Sequence, residues 1–435
     1  MGRRVVITGM GTVTPHADDV DRLFAQLREG VSAVHRISQF DPEGLPAQIA
    51  AEITYEVTGP EAVGPYECSS RTMQFVTAAA QRALADAGLS SLDPDDPARA
   101  RRAVHISSGV GSTAMEALGP LTLGVWGSPD VEDKRDLVSL RRAIAAHPDT
   151  AREVQDWFCD FAAPALALQF GAERISTAAS ACASGSHALM DAAHLIRLGH
   201  ADTVLCGGVC TPITRSMMPG FAMLSALSTR NDDPEGASRP FDADRNGFIM
   251  GEGSSLLVLE DLEHAVARGA RIHAEVLGVG IATDSYRLTD PEPGGRGMGQ
   301  AMQRALADAG LGNDAVDYIN AHGTSTKLND AAETKAVKNV FGERAYEIPV
   351  SSCKSMFGHL IHAAGSTEAI VCVKTIQTGV ITPTINQHTA DPDCDLDYVP
   401  NVAREARVKV AMNNSFGFGG QNVSVLLGAW DGSVA

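Results

Sequence analysis

The sequence is short of positive charge: 35 lysines and arginines stand against 53 acidic residues, a formal net charge of −18. A balance of that sign repels phosphate backbones and argues against a nucleic-acid partner. No apolar run reaches the length needed to cross a membrane. The opening MGRRVVITGMG enters a β-branched run at once, without the apolar core or small-residue cleavage site of a signal peptide. Gly2 is not an acylation signal, because Val6 stands where Ser or Thr is required. A cytoplasmic protein is therefore expected. The eight cysteines form no metal-binding pattern: Cys206 and Cys210 are separated by three residues, and no second pair completes a ligand set. A dinucleotide-binding turn is also missing, since Thr14 occupies the place where Gly9-Met10-Gly11 would need a third glycine.

What is present is a globular balance, 44% hydrophobic and 20% charged. Strand-like and helix-like segments alternate, which reads as α/β. Val5–Thr8 is a strand, Thr72–Ala87 a helix stopped by Gly88, and Val104–Ser107 a buried strand. Residues 81–89 read QRALADAGL, and residues 303–311 repeat it letter for letter. Each copy is followed by a short linker and a strand. These residues are favoured in any helix, but the shared context points to duplication. The expected organisation is two similar halves, 1–258 and 259–435, with a charged surface insertion at 129–161.

Four segments carry chemistry. In Arg174–Leu198 a strand ends in small residues, Cys182 sits at the turn, and an amphipathic helix begins near Ser184. The helix dipole there favours a thiolate, although a cysteine among alanines also suits a core position. In Tyr318–Asp330 a strand delivers His322, followed by Gly323 and the hydroxyls of Thr324 and Thr326, which could hold a polar ligand arm. A satisfied structural histidine is the plainer reading of that segment. In Val350–Gly365 another strand leads to Lys354, Gly358 and His359. His359 and His362 have the spacing of a metal pair, but no acid or cysteine obviously completes the set. In Asn413–Asn422 glycines alternate with Phe416 and Phe418, leaving backbone N–H groups free to hold an oxyanion. One Cys and two His on three strand ends make a nucleophile set for acyl transfer.

ACASGSHA around Cys182, Ala226–Phe248, NAHGTST around His322, KSMFGHL from Lys354 to Leu360 and NNSFGFGG around Phe418 occur in that order. Together they resemble the β-ketoacyl-(acyl carrier protein) synthases of the type II elongating group, close to bacterial synthase II and to the ketosynthase subunits of type II polyketide systems. The likeness covers nearly the whole chain. It implies the thiolase fold, two related α/β halves in a five-layer αβαβα arrangement, and a decarboxylating Claisen condensation. By this resemblance Cys182 carries the acyl group. His322 and His359 assist decarboxylation of a malonyl-carrier and stabilise the enolate. The backbone N–H groups of Cys182 and Phe418 hold the oxyanion of the acyl thioester, and the Phe418 ring gates the path. Lys354 and Glu333 form a charged pair that positions His359. Thr324 and Thr326 flank the phosphopantetheine arm, and Thr289 belongs to a partner loop, Asp284–Pro291. Val110, where Ile is common, and Phe221 wall the acyl pocket.

The same resemblance implies no metal and no bound cofactor, the substrates being carried on the phosphopantetheine of an acyl carrier protein. The chain is expected to pair with a second copy or with a Cys-lacking subunit like a chain-length factor. The intact Cys182 speaks against the chain being such a non-catalytic subunit itself. The basic docking patch is thin: Arg71 matches part of it, Ser225 stands where relatives often have Arg, and Arg215, Lys134 and Arg135 are the other candidates. The insertion and the thin patch favour a type II polyketide or specialised fatty-acid pathway. Housekeeping fatty-acid elongation and a non-condensing acyltransferase are the alternatives.

Overall fold

The computed structural model describes residues 2–109 and 162–433. The expected insertion, Val110, Lys134 and Arg135 lie outside the described residues. The main elements come in two series of the same order. The first is β1 (Val5–Val13), α1 (Arg71–Asp86), β2 (Arg102–Ser108), α2 (Ala162–Phe170), β3 (Arg174–Ala178), α3 (Ser184–Arg197), β4 (Thr203–Cys210) and β5 (Gly253–Asp261). The second is β6 (Ala274–Thr283), α4 (Arg296–Ala309), β7 (Tyr318–Asn320), α5 (Lys327–Phe341), β8 (Val350–Ser351), α6 (Ala364–Thr378), β9 (Val410–Gly417) and β10 (Gln421–Gly428). β5 continues to Asp261, past the expected division at residue 258.

The ten strands hydrogen-bond in the order β8-β7-β9-β10-β6-β1-β5-β4-β2-β3, which is symmetric about the β6–β1 pair. The strand senses match as well. β1 and β6 each run antiparallel to their neighbours, while β2 and β7 run parallel to both of theirs. Helices α3 and α6 pack on each other and touch strands of both halves. α1 and α2 cover the outer face of the first half, and α4 and α5 that of the second. The result is the five layers that the resemblance implies.

The repeated nonapeptide has a physical reason. It supplies the inner face of α1 and of α4 where each helix lies against the first strand of its half. A Cβ on Gly9 or Gly11 would fall 2.2 Å from Ala83 O or 2.0 Å from Ala79 O. In the second half a Cβ on Gly278 or Gly280 would fall 2.3 Å from Ala305 O or 2.1 Å from Ala301 O. Between the two glycines of each strand, a backbone N–H reaches out to the helix: Met10 donates to Asp86 Oδ2 and Val279 to Asp308 Oδ2, both at 2.9 Å. Gly-x-Gly in MGRRVVITGMG is thus a close-packing device, and the nonapeptide supplies the aspartate and one of the two alanines that meet it, Ala83 or Ala305; Ala79 and Ala301 lie one turn before it. Both copies end on a left-handed glycine, Gly88 at φ 64° and Gly310 at φ 65°.

Replacing Gly280 by Val should cost about 1–3 kcal/mol or more through overpacking. The mirror change Gly11→Val should fall in the same range. Chemical denaturation checks both, and a loss of under about 0.5 kcal/mol at either site would contradict the close-contact account.

Candidate active site

Three strands lead into the site: β3 from the first half, and the parallel neighbours β7 and β8 from the second. After β3 the chain turns through Ala181, held at φ 48°, a costly conformation for a residue with a Cβ. Ser184 fixes the turn, its Oγ accepting from Ser180 N at 2.8 Å and donating to Ala181 O at 2.6 Å. Cys182 lies in the 3-10 turn that leads into α3 and is 5% exposed. Its sulfur belongs to an apolar cluster with Ile213, Met218, Phe248 and Ile361, against which Phe221 and Phe418 pack.

The sequence pattern alone favours a thiolate, but in the free protein burial wins. It pushes the Cys182 thiol up to about 11, against the Phe418 backbone N–H and the Lys354 charge, which both favour the anion. The reactive atoms of Cys182, His322 and His359 all lie within 4.8 Å of one another, and this is the one set of acidic, Cys and His side chains close enough to hold a metal ion among the described residues. His362 is not part of it.

His322 follows β7, and its position is set by Glu333 on α5. The carboxylate accepts the backbone N–H groups of His322 and Gly323, both at 2.8 Å. His359 lies edge-on to His322, the rings 5.3 Å apart at 81°, and edge-on to Phe248 at 5.3 Å. The Nδ1 of His359 accepts from Ile361 N at 3.3 Å, so the neutral ring carries its proton on Nε2. That Nε2 has no partner among the described residues. Burial, then the Lys354 charge, holds both imidazoles well below the usual histidine range. Both are therefore neutral donors or acceptors rather than cations.

The expected Lys354–Glu333 pair does not form. Lys354 is fully buried and pairs with Glu368, one turn into α6. Glu333 is occupied instead by the His322 and Gly323 backbone N–H groups. Burial raises the Glu368 carboxyl, and the Lys354 ammonium opposes that rise. Glu368 escaped the sequence reading; its only mark was an acid in the otherwise apolar and small-residue stretch after Gly365. Asn320 Oδ1, Asn413 Oδ1 and Glu368 Oε2 are buried oxygens that accept no hydrogen bond among the described residues.

A cavity of about 510 Å³ opens from the three reactive groups to the surface. Thr289, Thr324, Thr326 and Phe418 line it, with Leu224, Ser225 and Leu328. Thr324 and Thr326 share a hydrogen bond at 3.0 Å between their hydroxyls. Asp330, also missed in the sequence, accepts Thr324 N at 3.1 Å and Phe241 N at 2.9 Å, tying the threonine loop to the stretch 226–248. The Phe418 loop meets the loop of Thr289 directly: Gly419 N donates to Leu288 O at 2.7 Å and Asp284 N to Gly420 O at 2.9 Å. Phe221 lies on the other side of Cys182, edge-on to Phe248 at 5.9 Å. Arg71, matched to the docking patch, is engaged within the chain. Its guanidinium is held by both oxygens of buried Glu252 and by Ile53 O at 2.7 Å. Arg215 lies over the Phe40 ring at 5.7 Å.

The description "Beta-ketoacyl synthase, N-terminal domain" matches residues 2–265, and "Beta-ketoacyl synthase, C-terminal domain" matches residues 273–388. The 3-oxoacyl-[acyl-carrier-protein] synthase 2 of Synechocystis sp. is 39% identical over 427 residues, covering 97% of both chains. The polyketide β-ketoacyl synthase 1 of Streptomyces halstedii is 41% identical over 432 residues, covering 98% of both. Among solved structures, a type II polyketide ketosynthase in complex with its acyl-carrier protein and bound to the hexaketide superimposes with a TM-score of 0.85 at 32% identity, over 99% of this chain and 100% of that one. The ishigamide ketosynthase/chain length factor gives 0.83 at 34%, with the same coverage.

Cys182 is the only described thiol lining the cavity, so a small alkylating agent should label it first. With the thiol near 11, the rate of labelling should rise about tenfold per pH unit from 7 towards 10, following the thiolate fraction. Peptide mass spectrometry reads the rate at Cys182. A plateau below pH 8 would show that the helix N-terminus, not burial, sets the thiol.

Proposed function

The chain belongs to the β-ketoacyl synthase family of decarboxylating condensing acyltransferases, and we propose that Cys182, His322 and His359 carry its reaction. The observation that supports this reading is the convergence of one thiol and two neutral imidazoles at the closed end of a single cavity. In the first half-reaction the Cys182 sulfur attacks an acyl thioester of a carrier protein. The Cys182 S–C bond forms, the carrier S–C bond breaks, and the thiol proton passes to the departing carrier thiol. The Cys182 and Phe418 backbone N–H groups stabilise the oxyanion of that step.

In the second half-reaction a malonyl-carrier enters with its arm between Thr324, Thr326 and Thr289. Loss of CO2 leaves an enolate whose negative oxygen is met by the imidazoles. Neutral rings suit this role, because His359 presents Nε2–H to the developing charge with no counter-ion to displace. The enolate carbon bonds to the acyl carbon, the S–C bond to Cys182 breaks, and the thiolate takes up one proton. Lys354, paired with Glu368, is a positioning residue and a fixed charge behind the rings. Glu333 positions His322 through its backbone. Phe418 gates entry through the contact of its loop with Leu288. No bound cofactor or metal takes part in this scheme.

We read the carrier protein as one partner and a second ketosynthase-like chain as the other, either another copy or a Cys-lacking relative. The edge of β3 supports the second: among the described residues β3 ends the sheet and Ile175 on it is 49% exposed, and an apolar strand edge is a pairing surface. We further read residues 1–258 and 259–435 as two copies of one unit and the protein as cytoplasmic. Fatty-acid and polyketide relatives match it about equally well, so both pathways suit the site.

Cys182→Ala should form no acyl adduct with any acyl-carrier, while Cys182→Gln should still release CO2 from malonyl-carrier. His322→Ala and His359→Ala should lose decarboxylation by about 10²–10³-fold, the cost of one oxyanion donor, and lose acyl loading less. Mass spectrometry of the adduct and trapping of CO2 separate the two half-reactions. Normal acylation of Cys182→Ala would remove the nucleophile assignment, and equal loss of both half-reactions would remove the division of labour.

A further inference from the structure

The mouth of the cavity has an apolar lip. Met223 is 86% exposed, Leu224 50%, Leu288 86% and Leu328 58%. Leu224 and Leu328 line the cavity directly, as does Thr289 beside Leu288, and Met223 precedes Leu224 in the chain. Met223 and Leu288 are the two most exposed large apolar side chains among the described residues. The four come from three separate segments, and the cavity brings them to one place.

Each is held out by hydrogen-bonded backbone. The short helix Met217–Met223 places Met218, Phe221 and Ala222 in the apolar cluster around Cys182. Its sequence, MMPGFAM, has no charged side chain for the other side, so Met223 and then Leu224 face outward. Ser225 closes the helix at φ 54°, its N–H donating to Ala222 O at 2.9 Å. A helix end that is apolar on both sides is suited to being covered. Leu288 sits on a loop anchored by Asp284, whose carboxylate accepts Glu292 N at 3.0 Å and Asn422 Nδ2 at 2.7 Å. Leu288 O in turn accepts Gly419 N at 2.7 Å. Leu328 lies in the first turn of α5.

Charge is scarce along the same lip. Arg287, next to Leu288, is paired with Asp290 at 3.0 Å. Lys327, next to Leu328, is exposed and lines the cavity, and it forms no ion pair among the described residues. One free cation on a chain of net charge −18 is a weak attractor for an acidic body.

We propose that this lip docks the carrier protein by apolar contact, so that the carrier face around the base of its thioester arm is itself apolar. Desolvation of Met223, Leu224, Leu288 and Leu328 holds the complex, and ion pairs do not. The position of the lip fixes the occupant: an arm that reaches Cys182 passes between these side chains, and the body from which it hangs comes to rest on them. The inference rests on the reading of a carrier protein as partner and adds the chemistry of the contact.

The test uses the full chain, a panel of bacterial acyl carrier proteins charged with hexanoyl groups, and hexanoyl-pantetheine as the reference without a carrier body. Acyl adducts on Cys182 are followed by mass spectrometry, and the readout is the ratio of carrier-borne to pantetheine-borne loading rates. The wild type should prefer at least one carrier by about tenfold or more. That ratio should change by less than about threefold between about 0.05 and 0.5 M salt. Met223→Gln and Leu288→Gln should each lower it about tenfold, the value of a well-buried interface side chain. Met223→Gln should leave loading from hexanoyl-pantetheine unchanged, and Lys327→Gln should move the ratio by less than about threefold. The inference is overturned if the ratio falls about tenfold or more as salt is raised, if Lys327→Gln has the larger effect, or if both apolar variants leave the ratio unmoved. In the last case a change of oligomeric mass in the variants assigns the lip to a second copy, and an unchanged mass with lower thermal stability assigns it to another part of this chain. Normal loading from pantetheine with no preference for any carrier also overturns it. Absence of any adduct from either source is a different result: it overturns the condensing assignment and takes this inference with it.

Discussion

Two helices, α3 and α6, share one slab between the halves of the sheet, and the site follows from that arrangement. Each of these helices begins in the interior, its first residues buried: Ser184, Gly185 and Ser186 on α3, and Ala364, Gly365 and Ser366 on α6. Cys182 stands on one such terminus and His362 on the other, and the turns that carry them pack together. His322 and His359 reach the same region from the ends of β7 and β8. The shared slab makes one site from residues far apart in the chain, and it also buries the reactive groups.

Burial sets the electrostatics. The burial that brings the thiol to about 11 also holds His322 and His359 below their usual range. In water these groups would differ little from free side chains; here all are driven towards their neutral forms. The one buried cation among them, Lys354, is matched by Glu368. It acts on the thiol and the imidazoles in ways that suit a condensation, favouring the thiolate and disfavouring imidazolium. Breaking such a pair by removing one partner leaves a bare charge in the interior, which is why it belongs to the framework as much as to the chemistry.

Much of this was legible in the sequence, and the parts that were not have a common cause. The nonapeptide echo pointed to two halves because helix–strand packing repeats its residues, down to Asp86 and Asp308. The strand-end motifs placed Cys182, His322 and His359, since small residues and glycine at a strand terminus mark a turn into a cleft. Pairings across long separations were not readable. Nothing near Arg71 in the chain announces that Glu252 will capture it, and nothing near Lys354 distinguishes Glu333 from Glu368. The thiol was misjudged because a helix start is visible in sequence while depth of burial is not. His359 and His362 have the spacing of a metal pair, yet the tight turn between them sends one ring to His322 and the other to Cys210.

The cavity's walls run from Cys182 to Asn422 in the chain, and Asn422 lies on the last strand of the sheet. A growing polypeptide therefore makes its thiol early and its pocket late. A chain that has not yet reached β10 holds the thiol and both imidazoles but lacks the Asn422 wall of the cavity.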